Sequence, residues 1–251
     1  ATTINTNAIT TFANAVTATT INNASTILFN RTGGDITVAG NIVDSGTSTI
    51  EVISSANGAP SVITFSGNVE SDTITIGTTT NAGSAKFDGT VTGTNINIVG
   101  GDAAGENSLA NFASTVTVTA ITLDDNATYT ATATFSGTTA TITGTINGLA
   151  TTEGTINVTG TGKTFASVIG GSSKPLSTIT ISAGTTTFNS TVNATTVSAN
   201  AASTFTGAVT ATTLSTAAAA YNIAINGGGT ITNAVTFSNS GTLSLAGTTA
   251  F

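Results

Sequence analysis

The sequence predicts an all-β fold, a right-handed parallel β-solenoid of about ten coils of roughly 25 residues each. Three observations predict it: a Thr-rich alphabet, a motif that recurs at fixed spacing, and the places where that spacing is interrupted.

The alphabet comes first. Of the 251 residues, 61 are Thr, and Thr, Val and Ile are the side chains that best fit a pleated surface. Two Pro and a charged share of 6% set against a hydrophobic share of 39% exclude both a Pro-rich linker and a self-repelling disordered chain.

The motif comes second. "FNSTVNATTVSA" at 188–199 returns as "FTGAVTATTLST" at 205–216. With Phe as position 0, an apolar β-branched residue stands at +4 and an Ile, Val or Leu at +9. Six copies keep the spacing: Phe12/Val16/Ile21, Phe65/Val69/Ile74, Phe87/Val91/Ile96, Phe112/Val116/Ile121, Phe188/Val192/Val197 and Phe205/Val209/Leu214. Ile76, Ile98 and Leu123 add an apolar residue at +11, and +2 is always small or polar.

The interruptions come third. Val38/Ile42 resumes late at Ile50/Val52, Ile142/Ile146 at Ile156/Val158, and Phe165/Ile169 at Ile179/Ile181 after "GGSSKP". A compressed unit begins at Phe237 and continues at Leu243 and Leu245. All three insertions follow the +4 residue, which marks an exposed corner. Strand side chains alternate faces, so the odd step from +4 to +9 requires a bend or bulge if both residues are to face one interior. A third strand leads into the next Phe, as in "GTTTF" and "TATATF". One such unit cannot bury its apolar face alone, but stacked units can, with Phe above Phe and Thr above Thr.

An antiparallel sandwich is the competing fold, and Asn57-Gly58, Asp88-Gly89, Asn147-Gly148 and Asn226-Gly227 are possible hairpin turns. Asp88-Gly89, however, falls inside the repeat. Residues 1–251 therefore read as a single solenoid segment. "ATTI" at its start matches the module's second half, and Phe251 stands at a fresh position 0, so both ends are mid-repeat. Flanking solenoid coils, or other copies of the chain, are the expected stacking partners.

The module F-x-[GSN]-x-V-x-A-T-T-[ILV], set in Thr/Asn/Gly-rich sequence, resembles passenger regions of bacterial autotransporters. It is most similar to the large rickettsial outer-membrane surface antigens, and more loosely to haemagglutinin-type repeat adhesins. The resemblance covers nearly the whole chain and implies a β-helical, surface-displayed passenger that serves adhesion or forms a protective coat. Host-surface or glycan ligands follow from it as candidate partners. A translocator barrel is not among these modules, which leaves the secretion route open.

Composition narrows the chemistry. There is no Cys, His, Met or Trp, which excludes disulfides, thiolate metal sites and imidazole bases. Arg31, Lys86, Lys163 and Lys174 face eleven acidic residues, a net charge of −7 that excludes nucleic acid as a partner. No apolar run approaches the ~20 residues of a membrane span.

Glu70 and Asp72, two apart on a strand, could do glycosidase work but read as solvated charges on an aggregation-prone surface. Solenoid enzymes also tend to line a groove with basic side chains or stacked rings, and this chain has one Arg and two Tyr, Tyr129 and Tyr221. Asp124, Asp125 and Asn126, or Asp102 and Glu106 in "GGDAAGEN", could approach Ca²⁺ but match no known loop pattern. "GGSSKP" lacks phosphate-loop spacing and reads as a surface insertion. Sequons at Asn23, Asn30, Asn126, Asn157, Asn189 and Asn193 are mostly chance in so Asn- and Thr-rich a chain. Thr-x-Thr runs raise ice binding, but such a face is expected to need near-constant coil length, and units of 17 to 32 residues argue for a structural role.

No catalytic, cofactor or metal residue is assigned. The expected function is a non-enzymatic, extracellular structural or adhesive rod of the bacterial cell surface. The alternatives are a self-assembling filament or surface-layer subunit, and a polysaccharide-active β-helix enzyme.

Overall fold

The computed structural model describes residues 2–31, 33–54, 61–102, 105–126 and 129–250. Ala1, Asn57-Gly58 and Phe251 lie outside the described residues. Every pairing between strands of the described residues is parallel, and 25 strands join in one continuous sheet. Among the described residues antiparallel bridges occur only within tight loops: Thr78 with Asn81, Asn126 with Tyr129, and Gly171 with Lys174. The chain is a parallel β-solenoid of about ten turns.

The register defines columns of inward side chains. One column runs Ile4, Ile21, Ile42, Val69, Val91 and Val116. It continues through Ile142, Phe165, Phe188, Phe205, Ile225 and Leu245. A second holds Val16, Val38, Phe65, Phe87, Phe112, Phe135, Val158 and Ile181. A third holds Phe12, Phe29, Val52, Ile76, Ile98 and Leu123. At about 4.8 Å per rung, the first column is roughly 50 Å long. Most of its members and their neighbours are fully buried, so apolar packing between turns holds the rod together.

The phenylalanines stack only in part as expected. Nine rings form one chain of contacts from Phe12 to Phe205. They occupy all three columns, however, changing column between Phe29 and Phe65 and again between Phe135 and Phe165. Within a column the rings lie nearly parallel, at 3° for Phe188 and Phe205. At the two changes they meet edge to face, at 86° and 89°. Repeat copies that look identical therefore occupy different sides of the cross-section. Each side offers the same spacing of inward positions, so the 0/+4/+9 pattern does not identify the side.

The corners also differ in one respect. The bend between +4 and +9 is present, marked by register shifts between Thr17 and Thr20 and between Thr117 and Ala120. A second corner, which even spacing concealed, falls at +2: strand Val62–Phe65 ends and strand Val69–Ile76 begins around Gly67. At Gly89 the turn beneath leaves no room for a side chain. A Cβ on Gly89 would lie 2.4 Å from the Gly67 carbonyl oxygen. Asn side chains fasten these corners to the next turn. Asn41 Oδ1 accepts the Asn68 N–H, and Asn68 Oδ1 accepts the Thr90 N–H. The three insertions are exposed loops at 45–47, 149–152 and 172–174. They lie at two different corners, and Leu149 is left 49% exposed in one of them.

Candidate functional site

Strand Val69–Ile76 directs Glu70 and Asp72 outward on either side of buried Ser71. Glu70 lines a shallow depression of about 310 Å³ with Asn41, Asn68 and Thr92, and Asp72 does not. The Asp72 carboxylate instead accepts the Ser48 N–H at 3.3 Å, while Ser48 Oγ donates to Ser71 Oγ. Asp72 thus fastens a corner of the preceding turn, and the two carboxylates do not line a shared cleft.

Asp125 is a clamp between turns. Its Oδ1 accepts the Ala131 N–H at 2.6 Å, and its Oδ2 accepts the Gly154 N–H at 2.9 Å. Both oxygens are thereby committed to backbone. Asn126 donates its amide to the Thr79 carbonyl. Burial, then the negative charges of Glu153 and Asp125, raises the Asp124 carboxyl above its ordinary range. Glu106 is buried and accepts the Asp102 N–H, closing its own loop. Among the described residues no three His, Cys, Asp or Glu side chains come together as a metal-binding group.

The remaining candidates lie apart from one another in the fold. Tyr221 Oη accepts the Ala217 N–H and sits 2.9 Å from the Ala199 carbonyl. Its ring borders a groove of about 560 Å³ otherwise lined by Ser, Ala, Gly and Asn. Lys174 lies in the exposed loop closed by its N–H to the Gly171 carbonyl. Asn23 is fully buried, accepts from Thr6 and donates to the Thr49 carbonyl, and is closed to modification.

Sequence reasoning missed Lys163. It is 1% exposed and donates from Nζ to the Thr138 carbonyl at 2.7 Å. Burial lowers its pKa below the ordinary lysine value. The signal was present in the alternation, because two residues before inward Phe165 is an inward position.

No protein-family model, curated protein or solved structure matches the chain. Among the described residues no helix is long and apolar enough to cross a membrane.

Proposed function

We propose that the chain is a non-enzymatic structural or adhesive rod displayed outside the bacterial cell, one stretch of a surface protein. The observation that carries this reading is the unbroken column from Ile4 to Leu245, in which each turn hydrogen-bonds to the turns above and below. A ribbon so closed resists bending and holds whatever it carries away from its anchor. The carboxylates support the same reading, because Asp72, Asp125 and Glu106 accept backbone N–H groups where an enzyme would aim them at a substrate. The similarity of the module to autotransporter passengers supports surface display.

Two measurements test the proposal. Electron micrographs of the purified chain are expected to show rods, and antibodies raised against it are expected to label intact native cells. Label confined to the cytosol overturns surface display, and turnover of a polysaccharide that is lost with Glu70→Gln overturns the non-enzymatic reading.

A further inference from the structure

One outward face carries a two-dimensional array. Thr132, Thr155, Thr178, Thr196 and Thr213 are directly paired in five successive turns. Two residues along each strand, on the same face, stand Thr134, Asn157, Thr180, Ser198 and Ser215, paired in the same register. Between the two rows the inward residues Ala133, Ile156, Ile179, Val197 and Leu214 are buried, which keeps the strands seated and the face regular.

The expectation that variable coil length would spoil such a face does not hold. Successive array threonines are separated by 23 residues at Thr132 and Thr155, and by 17 at Thr196 and Thr213, yet both pairs are in register. The extra residues leave through the loops and never enter the strands.

The array has the properties of a template for ordered water. Hydroxyl-bearing side chains, interrupted only at Asn157 among the ten positions, repeat at about 4.8 Å across the strands and about 6.7 Å along them. The repeat across the strands lies close to an oxygen–oxygen repeat on the surface of an ice crystal. The ten positions carry no ring to stack a sugar and no charge to hold a disordered hydration shell. Thr is stiff at χ1, so its methyl and hydroxyl are positioned before contact. Among the described residues only Thr213 of the five threonines takes an intramolecular side-chain hydrogen bond, from Asn233. The other four hydroxyls face outward for water. The array ends where Leu109 and Asn111, then Ser84 and Lys86, replace the pattern.

We propose that the Thr132–Thr213 face adsorbs to the surface of ice. This inference does not rest on surface display, since the face acts alike on a free or an anchored chain.

The test uses the whole 251-residue chain. Thermal hysteresis and inhibition of ice recrystallisation are expected for the parent. Thr178→Tyr, at the array's centre, lifts the face off the lattice and is expected to weaken either effect by about tenfold or more. Thr122→Tyr, outward on a different face, is expected to leave both unchanged. Circular dichroism in the cold checks that each variant is folded, and Thr178→Leu replaces Thr178→Tyr if the ring unfolds the chain. A parent without effect on ice overturns the proposal. Equal losses from Thr178→Tyr and Thr122→Tyr overturn its assignment to this face. Binding to an insoluble polysaccharide but not to ice also overturns it.

Discussion

Phe135 and Phe165 meet edge to face, with ring centroids 5.0 Å apart and planes at 89°. The backbone, however, pairs Phe135 with Val158 and Phe165 with Ile142. The aromatic file steps sideways here and the ring in the next turn fills from the adjacent column. Val158→Phe forces a second ring into that space and is expected to cost about 1–3 kcal/mol. Phe165→Val opens a cavity and costs about 2 kcal/mol. The double variant restores the volume and is expected to lie within about 1 kcal/mol of the parent. Urea unfolding of all four proteins measures the coupling, and simple additivity would show that the two sites do not share a volume.

Lys163 has a carbonyl and no carboxylate as its hydrogen-bond partner. Its folded pKa lies below its ordinary 10.5, so between those two values the unfolded chain binds more protons. Stability is therefore expected to rise with pH across that window; the penalty is full below it and absent above it. Lys163→Met removes the titrating group and is expected to gain on the order of 1 kcal/mol at neutral pH. The difference in urea midpoint between parent and variant, followed from roughly pH 8 to 11, should shrink as pH rises.

Gly89 and Gly33 predict opposite outcomes for the same change. A Cβ on Gly89 meets the Gly67 backbone, whereas nothing lies within 4 Å of one on Gly33. Gly89→Ala is expected to lose about 1–3 kcal/mol by overpacking. Gly33→Ala is expected to be neutral or stabilising by up to about 1 kcal/mol. Melting temperatures of the two variants check the contrast.

Asp125→Ala removes one acceptor shared by two turns and is expected to cost about 2–3 kcal/mol. Hydrogen exchange at the amides of Ala131 and Gly154 should accelerate first. Glu70→Gln, on an exposed position with no such duty, is expected to stay within about 0.5 kcal/mol of the parent.

The fold was legible because its inward residues follow one rule everywhere. Phe, Val and Ile at even spacing within strands, with an odd step at a bend, required a coiled parallel ribbon. Which side each copy occupies was not legible, because Phe65 and Phe188 carry the same local sentence on different sides. The turn from Phe12 to Phe29 is not legible from the repeat either, since Phe29 is followed by Gly33 where the motif carries an apolar +4 residue. The carboxylates Asp72 and Asp125 could be named from sequence, but their partners in neighbouring turns, Ser48 and Gly154, lie 24 and 29 residues away and only the register supplies them. The threonine array was hidden for the same reason: linear spacing varies where spatial spacing does not.

Because loops absorb the variation, each turn stores its own length of chain. Phe188 returns to Phe205 after 17 residues, while Ile42 returns to Val69 after 27. Pulled from one end, the rod should unravel turn by turn, releasing about 60 to 95 Å of contour at each rupture. The order of long and short releases would then be a mechanical barcode, readable in an optical trap, of the direction in which the molecule is being peeled.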